Sequence, residues 1–164
     1  MIKLPNDYKL KIYLDTSVIS HIDAPDTPEK MCDTIRFWED IKDGRYDIFI
    51  SDLTIAELFD CPEPKRTKML SWLQDIEYIE ISEDARAAKL SLQYLEIGGL
   101  PPKSKNDAIH IAIASVNDCD IILSWNFKHI VNIRAMTAVE NVNMEMRYKK
   151  LRILSPSSML DKEE

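Results

Sequence analysis

The stretch Lys11-Ile12-Tyr13-Leu14-Asp15-Thr16-Ser17 decides the fold. Residues 10–15 form a short run that is apolar apart from Lys11 and ends in an acid. A brief apolar run of this kind is what a strand buried on both faces of a parallel sheet looks like. The acid and the two hydroxyl residues after it favour a turn over a longer strand.

Outward from that stretch the same arrangement recurs. Tyr46-Asp47-Ile48-Phe49-Ile50 reads as a second strand, and Ser51 or Asp52 then caps a helix carrying Glu57. Tyr78-Ile79-Glu80-Ile81 reads as a third strand, at an edge. Asp120-Ile121-Ile122-Leu123-Ser124 is a fourth and Leu151-Arg152-Ile153-Leu154 the last. Helical patterns lie between them. Asp26-Thr27-Pro28-Glu29 opens a helix in which Met31, Ile35, Trp38 and Ile41 recur at helical spacing, and Asp43-Gly44 stops it. Cys61-Pro62-Glu63-Pro64 breaks the helix of Glu57, and residues 65–74 form another. Ser82 is the expected cap of a helix that Gly98-Gly99 ends. Residues 104–106 feed the helix of Asp107, and residues 131–147 are helical. Alternation of this sort predicts an α/β fold with a mostly parallel sheet and helices on both faces. Residues 1–155 read as one domain and residues 156–164 as a tail.

Composition narrows the function classes. The chain has 164 residues, enough for one domain with a sizeable core. Its formal charge is −7, so no broad basic face for duplex nucleic acid is expected. Only three glycines occur, which leaves no Gly-rich phosphate loop. Cys32, Cys61 and Cys119 are odd in number and widely spaced, against a disulfide framework or a zinc site. No signal sequence and no membrane-length apolar run is visible, so a reduced cytoplasm is the expected compartment.

In parallel sheets the functional site lies at the carboxyl ends of the strands. Asp15 and Ser124 fall there directly. Glu57 follows the second strand, and Asp107 sits near the positive end of its helix. Carboxylates that converge repel one another unless a cation separates them. Hard oxygen ligands suit Mg²⁺ or Mn²⁺. Such an ion can drive phosphodiester hydrolysis, whereas no Ser–His–Asp order or activated cysteine offers a rival route. An Asp-nucleophile phosphatase would want a second acid two residues after Asp15, where Ser17 stands. Bland roles exist for each residue. Asp15, Asp107 and Asn126 can cap turns or helices, His110 can be a packed histidine, and Trp125 can pack rather than stack a base.

Four segments together resemble the PIN-domain family, and especially the small VapC-type ribonucleases of toxin–antitoxin systems. They are Tyr13-Leu14-Asp15-Thr16-Ser17-Val18, Thr54-Ile55-Ala56-Glu57-Leu58, Asn106-Asp107-Ala108-Ile109-His110-Ile111-Ala112 and Ile122-Leu123-Ser124-Trp125-Asn126-Phe127-Lys128-His129-Ile130. The resemblance implies a three-layer α/β/α sandwich and Mg²⁺- or Mn²⁺-dependent cleavage of RNA. By position, Asp15, Glu57 and Asp107 would hold metal, Thr16 or Ser17 would orient those carboxylates, and Asn126 would match the family's polar residue after the fourth strand. Where relatives keep a further acid this chain has Lys128 or His129, depending on alignment. A catalytically impaired PIN domain that binds RNA or protein is therefore the alternative reading. Lys103, Lys105 and Lys128 are the cations best placed to hold phosphates. The resemblance also implies an antitoxin partner and a homodimer, and Ile35, Trp38 and Leu70 suit either an interface or the core.

Overall fold

A computed structural model describes residues 8–161. The expected N-terminal lead-in and the last residues of the tail lie outside them. Five strands form one sheet: β1 (Lys11–Leu14), β2 (Asp47–Ser51), β3 (Ile79–Ile81), β4 (Ile121–Leu123) and β5 (Arg152–Leu154). Their order is β3-β2-β1-β4-β5, and every pairing is parallel.

Alternation within the strands explains the layers, because successive side chains point to opposite faces. Ile12, Leu14, Ile48, Ile50, Ile121 and Leu123 join one buried cluster, while Tyr13, Phe49, Ile122 and Ile153 join the other. Helices α1 (Thr16–Ser20), α2 (Pro28–Lys42), α3 (Asp52–Phe59) and α4 (Lys65–Gln74) cover the first face. Helices α5 (Ala85–Glu96), α6 (Lys105–Val116) and α7 (Ile133–Glu145) cover the second. The result is the three-layer α/β/α sandwich.

Local chemistry sets the helix ends. Pro28 takes the first position of α2, where a missing N–H costs nothing. Ser51 Oγ accepts the Thr54 amide and starts α3. Helix α5 begins two residues later than Ser82 would place it, because the Asp84 side chain accepts the Ala87 amide. It ends at Gly98, whose φ of +82° is the left-handed conformation a helix terminus favours. Gly99 is required for closeness: a Cβ there would lie 1.9 Å from Cβ of Ala138 on α7.

One expectation changes and one open choice closes. The segment expected as a tail from residue 156 begins with a 3-10 turn, Pro156–Met159, whose Pro156 is buried and whose Met159 packs with Leu160 on the core. Apolar burial carries the fold past residue 155. Trp38 is fully buried inside the core, so it supplies no interface.

Candidate active site

Strands β1 and β4 are neighbours at the centre of the sheet, and the chain leaves them in opposite directions. That switch point opens a crevice at their carboxyl ends. Leu14 and Leu123 are register partners, and the Asp15 amide donates to the Leu123 carbonyl at 3.1 Å. Asp15 is thereby fixed at the crevice with only 5% of its surface exposed. Its Oδ2 accepts from Ser17 Oγ and from Ser124 Oγ, each at 2.8 Å. Ser17 Oγ accepts the Trp125 amide at 2.9 Å, and Ser124 Oγ accepts the Asn126 amide at 3.0 Å. The short helix α1 and the turn after β4 thus clamp one oxygen of Asp15 between them. The other, Oδ1, lies 3.7 Å from His110 Nε2.

His110 is the residue that sequence reasoning undervalued. It lies on α6 one turn after Asp107, and that spacing was the available signal. It is buried, and its Nε2 is 2.8 Å from Glu57 Oε1. Its Nδ1 is 2.6 Å from the Tyr13 hydroxyl, which is 2.6 Å from Ser51 Oγ. Ser51 caps the helix that carries Glu57, so these contacts close a ring joining β1, α3 and α6. Burial pushes the imidazole pKa down, but the Glu57 hydrogen bond and the charges of Asp15, Glu57 and Asp107 outweigh it and raise it. Burial pushes the Glu57 carboxyl up, and the His110 contact and charge bring it below the usual value. Burial keeps Tyr13 a neutral phenol.

Asp107 is compensated less well. Its Oδ2 is 3.2 Å from His129 Nδ1. Burial, then the charge of Asp15, raises its pKa despite that contact. Asn126 Oδ1 accepts the His129 amide at 3.0 Å, so this side chain fixes the turn that presents His129. His129, not Lys128, therefore stands beside the acid. Lys128 is exposed and lines a groove of about 370 Å³ with residues 98–102, Asn132 and Arg134. Lys103 and Lys105 are exposed on the approach to α6. Trp125 is buried, with its indole N–H donating to Thr34 Oγ1 at 2.9 Å. A larger concavity, about 540 Å³, lies at the amino-terminal end of the sheet beside Lys9, Asp47 and Tyr78, and holds none of these acids.

The acidic set can be tested against a metal. Among the described residues no three His, Cys, Asp or Glu side chains form a ready metal cluster, and His110 and His129 engage Glu57 and Asp107. Mg²⁺, however, commonly needs one or two protein carboxylates and keeps its waters. Asp15 and Asp107 supply hard oxygens, and the mutual charge that raises Asp107 is what a cation would relieve. The hydroxyl of Thr16, the residue after Asp15, is buried with no hydrogen-bond partner. The donors present fit a hydrated Mg²⁺ or Mn²⁺.

A family model for the PIN domain matches residues 12–128. The chain belongs to the PIN-domain family. The matched span runs from β1 to Lys128 and contains Asp15, Glu57 and Asp107, so the resemblance read from the four sequence segments holds. Among similar solved structures is a chain of VapBC2 from Rickettsia felis, crystallised bound to a DNA fragment from their promoter. It has a TM-score of 0.54 and 15% identity, with 89% of this PIN domain and 98% of that chain covered. The likeness is one of fold. No curated protein matches this PIN domain in sequence. Among the described residues no helix is long and apolar enough to cross a membrane.

Proposed function

We propose that this PIN domain is a Mg²⁺- or Mn²⁺-dependent endoribonuclease, the toxin of a toxin–antitoxin pair. One observation carries the reading: Ser17 and Ser124 clamp one oxygen of Asp15 at the sheet switch point, while its other oxygen faces His110, one turn along α6 from Asp107. Asp15 and Asp107 would hold the ion, with the second oxygen of Glu57 as a further donor. When bound, such an ion lowers the pKa of a water and stabilises charge on the phosphodiester oxygens.

The chain's own residues do the positioning. Ser17 and Ser124 aim Asp15 by occupying Oδ2. His110 anchors Glu57, and the Tyr13–Ser51 link keeps the imidazole in place. His129, partly exposed, stands with its Nδ1 3.2 Å from Asp107 Oδ2 at the edge of the site. Asn126 fixes that histidine through its amide. Lys103, Lys105 and Lys128 make no ion pair among the described residues and are available to phosphates at the mouth of the site. The small VapC-type relatives it resembles suggest an antitoxin and a homodimer as partners. Three unpaired cysteines suit a reducing cytoplasm.

One observation favours a second reading, a PIN domain that binds RNA or protein without cutting. A histidine, not an acid, stands beside Asp107 and takes one of its oxygens. Incubation of purified protein with structured and single-stranded RNAs, in Mg²⁺ or Mn²⁺ against EDTA, decides between them. Metal-dependent cleavage is expected; retained RNA binding without cleavage in either metal would favour the second reading.

A further inference from the structure

The turn after β4 sends consecutive side chains to different places. Its first residue is tied to both acids: Asn126 holds His129, which meets Asp107, and its own amide rests on Ser124, which meets Asp15. The Asn126 carbonyl also accepts the amides of Ile130 and Val131, both at 2.9 Å, so the turn is closed on itself. Between these anchors, Phe127 keeps 44% of its surface exposed. Its ring stands edge-on to the buried Trp125, at 6.0 Å and 74°. Lys30 Nζ lies 5.1 Å from the ring centroid and, among the described residues, pairs with no carboxylate. The next residue, Lys128, lines the groove that Arg134 also lines. An exposed apolar ring beside a cation, on a turn tied to both acids, does not serve the core.

We propose that Phe127 is a stacking platform for an unpaired nucleobase of the RNA, whose backbone passes along the Lys128–Arg134 groove. The proposal deepens the ribonuclease reading and rests on it for the identity of the strand. Stacking on an aromatic ring requires a base freed from its own helix, which excludes paired RNA. Backbone contacts confined to one groove also suit a chain of net charge −7 better than a duplex spanning a wide face.

The test uses fluorescence anisotropy with a labelled single-stranded RNA and a hairpin-free duplex, in Mg²⁺. Each protein carries Asp107→Asn so that cleavage does not interfere. Phe127→Ala is expected to weaken single-strand binding on the order of tenfold, to leave duplex binding within about twofold, and to leave the melting temperature unchanged. Phe127→Trp should restore binding, and Arg134→Ala should weaken it and flatten its salt dependence. With Asp107 intact, Phe127→Ala should raise KM and spare kcat. Single-strand binding unchanged in Phe127→Ala, equal loss in the Ala and Trp variants, or preference of the parent for duplex would each overturn the proposal. If the protein with Asp107 intact never cleaves RNA but the binding series behaves as stated, the nuclease reading fails while the stacking platform stands.

Discussion

An aspartate stands at each end of the sheet, Asp120 just before β4 and Asp107 in the first turn of α6, and the two are treated in opposite ways. At the amino-terminal end Asp120 accepts the Lys11 amide at 2.9 Å and the Tyr8 hydroxyl at 2.8 Å, and its other oxygen lies 2.6 Å from Lys149 Nζ. Burial alone would raise its pKa, but these donors more than reverse it. At the carboxyl end, Asp107 has one histidine and a neighbouring carboxylate, and its pKa rises. The first acid is completed by the chain and contributes to stability. The second is left short of positive charge, a local cost that active sites commonly carry. On the proposed reading a bound cation would supply the charge that Asp107 lacks, whereas Lys149 already supplies it to Asp120.

Substitutions should separate the two ends. The largest contrast is in activity: Asp15→Asn and Asp107→Asn should each cut metal-dependent RNA cleavage by more than about a hundredfold, since even groups that only support a metal ligand cost 10–100-fold. Asp120→Asn should leave the rate unchanged, and comparable loss in all three would erase the distinction. In denaturant unfolding, Asp120→Ala should cost about 1–2 kcal/mol, because Lys149 and the Lys11 amide lose their acceptor. A smaller effect concerns the missing acid. His129→Asp should tighten Mn²⁺ binding roughly tenfold by calorimetry, whereas Lys128→Asp, on the groove side, should not. No gain from His129→Asp would mean that a further carboxylate is not wanted there.

The smallest effect is in pH dependence, measured in EDTA by melting across acid to neutral pH. Asp120 has a folded pKa below its unfolded value of about 3.9. Its stabilisation is therefore complete above that value and lost as pH falls through the folded pKa. Asp107 has the opposite sign: its contribution is present below about 3.9 and lost as pH rises through the raised folded value. Wild type minus Asp120→Asn and wild type minus Asp107→Asn should slope in opposite directions, and equal slopes would contradict the comparison.

Much of the fold was legible because burial on both faces writes each strand as a short apolar run, and all five runs became strands of one parallel sheet. Helix α1 was missed because five residues, Thr16–Ser20, show too little of a helical period. The start of α5 was misplaced because Ser82-Glu83-Asp84 offers two capping residues, and only the geometry shows that Asp84 reaches the Ala87 amide. The acids could be named from their positions after strands and at a helix start. Their electrostatics could not, since these depend on partners far away in sequence, such as His110 with Glu57 and Ser124 with Asp15. The exposed Phe127 and buried Trp125 illustrate the same limit: two aromatics two residues apart in one turn, with opposite fates set by the packing of α2 beneath them.

The central claim is that Asp15 and Asp107 form a site awaiting a divalent cation. Thermal melts of wild type and Asp107→Asn, each in EDTA and in millimolar Mn²⁺, test it most directly. A ligand at a hundred times its Kd stabilises by about 2.7 kcal/mol, which for a chain of this size is a rise of several degrees. Wild type should show that rise; Asp107→Asn should melt higher than wild type in EDTA and respond far less to Mn²⁺. A wild type indifferent to Mn²⁺, together with an Asp107→Asn variant that melts lower in EDTA, would show that Asp107 is a structural residue at the start of α6 and that the acids do not form a metal site.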